Sequence, residues 1–142
     1  MNNQSTKRQF RKLLIIDDNK DITDIIEEIA RVAGYDVQSI NDYKEVHSAY
    51  RKFSPDLIFV DLDLGVDKDM DMSERGYDGL AIFDFLAENH CEAKIIVISG
   101  MGKEKIEVTA NIGREMKLDV IGAITKPFSI DKIDQLLLNL KR

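Results

Sequence analysis

The feature that most constrains the fold is a set of three short aliphatic runs without polar alternation: Leu13–Ile16, Leu57–Val60 and Ile95–Ile98. Strands with one solvated face alternate apolar and polar residues, whereas strands covered on both faces are apolar throughout. The three runs therefore predict central strands of a parallel sheet. Two weaker runs, at Tyr35–Ile40 and Val120–Thr125, predict the remaining strands.

Helical patterns separate these strands. The first is an apolar stripe with the spacing i, i+3, i+4, i+7 and i+10, followed by Gly34 as a stop signal; it contains Ile22, Ile25, Ile26, Ile29 and Val32. Similar patterns predict helices around residues 43–50, 80–86, 104–118 and 133–140, with Gly113 as a weak point in the fourth. Five strands and five helices in alternation predict an α/β fold of three layers, with helices on both faces of a parallel sheet.

Composition sets limits on the class of protein. The 142 residues fit one domain, and no apolar run approaches the roughly 20 residues of a membrane span. A single cysteine, Cys91, and the lack of a signal peptide predict a cytoplasmic protein. Net charge is −6, but residues 1–12 carry +4, which leaves −10 for the rest. We expect residues 1–11 to be a flexible basic leader to a domain at 12–142, and no direct nucleic-acid binding.

Polar residues stand where the predicted strands end. Asp17 and Asp18 follow the first strand, Asp61 the third, Ser99 the fourth and Lys126 the fifth. The carboxyl ends of parallel strands form the ligand crevice, which for a strand order of 2-1-3-4-5 lies between strands 1 and 3. Three crowded carboxylates repel each other unless a cation lies between them, and oxygen ligands favour Mg²⁺. A lysine and a hydroxyl beside them suit a phosphoryl group, with Asp61 as the nucleophile.

Four motifs in this order resemble the receiver domains of two-component response regulators, a CheY-like superfamily. They are IIDDN, FVDLDL, VISG and ITKPF, and each closes a predicted strand between about Leu13 and Leu140. The resemblance implies the flavodoxin-like (βα)5 fold, with its parallel five-stranded sheet of order 2-1-3-4-5. It also implies a phosphorelay signalling protein rather than an enzyme. Asp61 would be phosphorylated by a sensor histidine kinase or a histidine phosphotransfer protein, in a reaction that requires Mg²⁺, with Mn²⁺ as a substitute.

The same resemblance assigns roles to the other site residues. Asp18 would bind the metal directly and Asp17 largely through water, while Asp61 and the backbone carbonyl of Asp63 would supply further ligands. Ser99 and Lys126 would bind the phosphoryl oxygens, and the Lys126–Pro127 peptide would be cis. Output would leave through the fourth helix, fifth strand and fifth helix, a face that could also support a dimer. The output partner or output domain is not specified, so the chain would be a stand-alone regulator or part of a longer protein.

Two features depart from the family pattern. The Asp-Gly pair that usually follows the phosphoacceptor closely is Asp78-Gly79 here, 17 positions after Asp61. This spacing predicts a loop insertion at about residues 65–78. Acids at Asp67, Asp69, Asp71 and Asp78 have the spacing of a calcium loop. Met72 stands where such a loop has glycine at its turn, so a solvated acidic loop is the preferred interpretation. The aromatic residue usual three positions before the lysine is replaced by Ala123.

Two alternative functions stay open on the sequence. A phosphatase resembling the haloacid dehalogenase superfamily would also use Asp61-Leu62-Asp63 with Ser99 and Lys126. That family opens on its nucleophile strand, whereas this chain opens on Asp17-Asp18. The second alternative is a pseudo-receiver that docks to a partner without phosphorylation.

Overall fold

The fold is a five-stranded parallel sheet covered by helices on both faces. The computed structural model describes residues 12–62, 77–100 and 102–141. The strand order is β2-β1-β3-β4-β5, as predicted. The strands are β1 (Lys12–Ile16), β2 (Asp36–Ile40), β3 (Leu57–Asp61), β4 (Lys94–Ser99) and β5 (Asp119–Thr125). The helices are α1 (Lys20–Val32), α2 (Val46–Phe53, after a 3-10 turn at Tyr43–Glu45), α3 (Tyr77–Glu88), α4 (Lys103–Glu115) and α5 (Ile130–Leu140).

Two apolar cores explain why the central strands lack alternation. Leu13 and Ile15 of β1 pack towards α1 and α5, whereas Leu14 and Ile16 pack towards the face covered by α2, α3 and α4. Both sets are fully buried. Because successive side chains of a strand point to opposite faces, only a strand buried on both sides is apolar at every position.

Helix α1 corrects one detail of the sequence interpretation. Its buried positions are Thr23, Ile26 and Ala30, while Ile25 is 42% exposed and Val32 is 82% exposed. The predicted stripe is wider than the surface that the sheet covers. Small residues lie where the helix approaches the sheet most closely, and the outer part of the stripe therefore stays in contact with solvent.

Gly113 proved to be a packing position rather than a break in α4. The helix continues past it to Glu115, and Gly113 is buried. A Cβ atom at this position would lie 3.0 Å from Phe83 Cε2 and 3.0 Å from Val120 Cγ2. The missing side chain lets α4 lie close to α3 and to β5.

Candidate functional site

The register of the central strands brings two carboxylates together. Ile16 of β1 is paired with Val60 of β3, so Asp17 and Asp61 follow on neighbouring strands at the same edge of the sheet. Both residues are buried, with exposures of 0% and 1%. This is the edge at which the strand order changes direction, because β1 has β2 on one side and β3 on the other.

Lys126 reaches both of these carboxylates from the end of β5. Its backbone N–H donates to the Ser99 carbonyl at 2.9 Å, which continues the pairing of β4 with β5. Its ammonium Nζ lies 3.2 Å from Asp61 Oδ2 and 3.2 Å from Asp17 Oδ2. The Lys126 side chain is 20% exposed, so the ion pairs have limited access to water. The following Lys126–Pro127 peptide is cis, as expected.

The balance of forces on Lys126 favours its charged form. Burial by itself lowers the pKa of the ammonium, because a charge is poorly solvated there. The negative charges and hydrogen-bonding oxygens of Asp61 and Asp17 act in the opposite direction and outweigh burial. The pKa of Lys126 is therefore raised above its ordinary value of 10.5. Lys126 is a fixed positive charge at neutral pH.

A third carboxylate completes a group that suits a divalent cation. One oxygen each of Asp17, Asp18 and Asp61 lie within 4.8 Å of one another, with Asp18 exposed and the other two buried. Asp17 Oδ2 is buried, and its partner among the described residues is the Lys126 ammonium, 3.2 Å away. A carboxylate oxygen has two lone pairs, so it can still bind a cation beside this ion pair. The residues thus fit a hard cation such as Mg²⁺, which prefers oxygen ligands.

Two asparagines that the sequence analysis did not select hold Asp17 in place. Asn19 caps α1 through its side chain, and its backbone N–H donates to Asp17 Oδ1 at 2.9 Å. Asn41 Nδ2 donates to the Asp17 carbonyl at 2.8 Å and to Thr23 Oγ1 at 3.0 Å. Asn41 follows β2 directly, so its position after a predicted strand was the available signal.

The remaining predicted residues are distributed as follows. Ser99 is buried at the end of β4, beside the backbone of Lys126. Asp63 and most of the insertion at 65–78 lie outside the described residues. Ala123 is exposed on β5, with Val97 as its partner in the register. The structure therefore groups Asp17, Asp18, Asp61 and Lys126, with Ser99 at the neighbouring strand end.

His47 and Cys91 both take part in packing. His47 stacks on Phe85, with ring centroids 3.9 Å apart. Cys91 is a buried free cysteine, and burial raises the pKa of its thiol. None of the helices in the described part of the chain has the length and apolar character that crossing a bilayer requires.

Fold and site together define a flavodoxin-like α/β domain with an acidic pocket at the carboxyl ends of β1 and β3. A family model for the response regulator receiver domain matches residues 13–138. The chain therefore belongs to the response regulator receiver domain family, and the resemblance recognised in its four motifs is confirmed.

Individual relatives agree with this assignment. The chain is 28% identical over 121 residues to the nitrogen assimilation regulatory protein NtrX of Azorhizobium caulinodans, a match that covers 85% of this chain and 24% of that protein. It thus spans about a quarter of the length of this curated relative. The receiver domain of NtrX from Brucella abortus is 26% identical, with a TM-score of 0.66 and coverage of 89% of this chain and 98% of that one. A response regulator from Colwellia psychrerythraea is 22% identical, with a TM-score of 0.73 and coverage of 93% and 97%.

Proposed function

We propose that this domain accepts a phosphoryl group on Asp61 and signals through the resulting change in charge. The observation that carries the proposal is the position of the Lys126 ammonium, 3.2 Å from a carboxylate oxygen of Asp61 and 3.2 Å from one of Asp17. This arrangement leaves an excess of negative charge that a divalent cation neutralises, and it keeps a fixed positive charge beside the proposed nucleophile.

The donor is a phosphohistidine of a sensor histidine kinase or a phosphotransfer protein. One Asp61 oxygen attacks phosphorus, so a phosphorus–oxygen bond forms while the phosphorus–nitrogen bond breaks. The imidazole keeps the electron pair of that bond and leaves as the neutral ring, because its other nitrogen carries a proton. Lys126 and the Ser99 hydroxyl face the oxygens on which charge accumulates, and they stabilise the transfer electrostatically.

Mg²⁺, or Mn²⁺ in its place, would be held by Asp17, Asp18 and Asp61, with the Asp63 carbonyl as a further ligand. When bound, the ion would supply positive charge to the phosphoryl oxygens. The hydrogen bonds from Asn19 and Asn41 fix the Asp17 carboxylate and carbonyl before any ion arrives. A rigid ligand costs less entropy on binding, so these contacts favour affinity for the cation.

The signal would leave through the surface formed by α4, β5 and α5. Exposed aliphatic side chains occur on each of these elements: Val108 is 60% exposed, Ile121 38% and Leu138 41%. A phosphoryl group beside Ser99 adds acceptor oxygens near the start of α4, which can bias the packing of this surface. The same surface could support a dimer or contact with an output domain. Because Ala123 stands where the family usually has an aromatic residue, β5 would contribute no aromatic side chain to this response.

The alternatives differ in their support. Membership of the receiver family favours a signalling module over a phosphatase of the haloacid dehalogenase type. A pseudo-receiver that docks without phosphorylation shares the fold but needs neither Asp61 nor a cation. Three further statements stay predictions for this chain. They are that it does not bind nucleic acid directly, that it is cytoplasmic, and that it divides into a leader at 1–11 and a domain at 12–142.

Intact-mass measurement after incubation with acetyl phosphate and Mg²⁺ tests the proposal. We expect one added phosphate in the wild type and none in Asp61→Asn. Asp84→Asn is the matched control, since Asp84 is exposed on α3 and its replacement should leave labelling unchanged. Equal labelling of Asp61→Asn would refute the assignment of the nucleophile. A folded wild type that accepts no phosphate would support the pseudo-receiver instead.

A further inference from the structure

A second surface feature lies away from the acidic pocket, in a groove between α1 and α5. We call it the α1–α5 groove; its volume is about 380 Å³, and its lining is Ile25, Glu28, Ile29, Val32, Ile130, Asp131 and Asp134. Three of its aliphatic side chains are exposed: Ile25 by 42%, Val32 by 82% and Ile130 by 59%. Exposed aliphatic side chains gathered in one groove indicate a site that another segment covers.

The charges of this groove restrict what can cover it. Its lining includes the carboxylates of Glu28, Asp131 and Asp134, and no lysine or arginine among the described residues contributes to it. The basic residues of α1 lie off this stripe and have other partners. Lys20 pairs with Asp24 at 3.0 Å, and Arg31 pairs with Glu27 at 2.8 Å. A basic segment with an apolar side chain is therefore the complementary ligand.

We propose that residues 7–11 of this same chain occupy the α1–α5 groove. The segment reads Lys7-Arg8-Gln9-Phe10-Arg11, with three positive charges, no acid and one aromatic side chain. Phe10 covers the exposed aliphatic side chains, and the basic side chains pair with the three carboxylates.

The connection of the segment to the sheet supports this occupant. Residue 12 opens β1, where it is paired with Asp36 of β2, only four positions after Val32 at the end of α1. From Ile25 to Val32 the groove follows α1 for about 10 Å, at 1.5 Å per helical residue. Five extended residues span roughly 17 Å, so the segment covers this length. Covalent attachment holds it at an effective concentration of about the millimolar range, which favours it over a separate chain.

Paramagnetic broadening of amide signals tests the docking in the full chain. A nitroxide is attached at Ser5→Cys in a Cys91→Ala background, just outside the proposed segment. We expect loss of amide intensity for residues 25–32 and 130–134, and recovery of that intensity in about 1 M salt, where charge pairs are screened. Residues 46–53 of α2 on the opposite face should be unaffected. Equal, weak broadening over the whole surface would overturn the proposal and show a solvated leader.

A charge swap separates docking from a general effect of charge. Reversing the segment with Lys7→Glu, Arg8→Glu and Arg11→Glu should abolish the broadening, as should Glu28→Lys, Asp131→Lys and Asp134→Lys in the groove. Combining both sets should restore it, which also shows that neither set acts by unfolding the chain. The matched control reverses three exposed acids of α4, Glu104, Glu107 and Glu115, and should leave the broadening intact. Failure of the combined variant to regain the broadening would refute the pairing.

A mixing experiment identifies the source of the segment. Spin-labelled chain without ¹⁵N is added to ¹⁵N-labelled chain without a spin label. We expect no broadening in this mixture, because the segment binds its own groove. Broadening of residues 25–32 in the mixture would assign the occupant to a second copy and overturn the intramolecular proposal.

Discussion

Replacing Lys126 with Met should destabilise the fold strongly in the absence of a divalent cation. Methionine keeps much of the aliphatic stem but removes the ammonium that lies 3.2 Å from both Asp17 and Asp61. The carboxylates of Asp17 and Asp61, buried at 0% and 1% exposure, then lose this counter-charge. Removing one partner of a buried ion pair typically costs about 3–5 kcal/mol, because the remaining charge is poorly solvated.

We expect the lower end of this range, about 3 kcal/mol, since the Lys126 side chain is 20% exposed and water reaches part of the cluster. With an unfolding entropy of about 2.1 cal/mol/K per residue, a chain of 142 residues should lose about 10 °C in Tm. The assay is thermal unfolding at neutral pH in a chelator. Because the pKa of Lys126 is raised above 10.5, its ion pairs stabilise the fold fully from neutral pH up to pH 10.5. On the alkaline side they are lost as the pH rises through the higher folded pKa.

Lys94→Met is the matched control for this measurement. Lys94 pairs with Asp119 on the surface, where the two side chains are 38% and 46% exposed. Exposed ion pairs contribute about 0–1 kcal/mol, so this variant should lose no more than about 3 °C in Tm. Mg²⁺ should restore more stability to the Lys126→Met variant than to the wild type, because the ion replaces the missing positive charge. Equal losses of Tm in Lys126→Met and Lys94→Met would refute the claim that Lys126 balances the charges of the buried carboxylates.

Three further predictions rest on separate contacts. Asn41→Ala removes the 2.8 Å hydrogen bond to the Asp17 carbonyl and should lower the free energy of unfolding by about 1 kcal/mol. Calorimetry should also show weaker Mg²⁺ binding; unchanged affinity would show that Asn41 does not position the site. Gly113→Ala should lower Tm. The added methyl group would lie 3.0 Å from Phe83, and overpacking of this kind costs about 1–3 kcal/mol, which exceeds or matches the gain in helix propensity of about 1 kcal/mol. A higher Tm would contradict this. Burial raises the pKa of Tyr35 from 10.0 to about 12, so the free energy of unfolding measured in urea should fall between pH 10 and about pH 12. Tyr35→Phe should make this fall smaller; an equal fall in the variant would exclude Tyr35 as its source.

Much of the fold was accessible from the sequence because the pattern of burial was simple. Strands β1, β3 and β4 are apolar on both faces, the pattern typical of a parallel sheet that is covered on both sides. Once the strands were placed, their polar ends predicted that Asp17 and Asp61 would meet, and the register Ile16–Val60 confirms this. Strand ends are informative since a parallel sheet gathers them at one edge.

Other features depend on relations that a linear pattern does not contain. The sequence predicted one apolar stripe on α1, but how far the sheet covers it depends on the rotation and distance of the helix, so Ile25 and Val32 were not recognised as exposed. The role of Asn41 depends on β2 lying beside β1, which brings its side chain to the Asp17 carbonyl. A glycine within a helical pattern usually indicates a break, and only the contact with Phe83 shows that the small size of Gly113 is needed.

The site of phosphorylation is the most direct test of the proposed function. The chain is labelled with acetyl phosphate and Mg²⁺ and then treated with borohydride, which reduces an aspartyl phosphate to homoserine. Peptide sequencing by mass spectrometry then locates the modified residue. We predict homoserine at position 61 alone, dependent on Mg²⁺ and absent from Asp61→Asn. Homoserine at position 17 or 18, or none in a labelled and folded chain, would contradict the assignment of Asp61 as the phosphoacceptor.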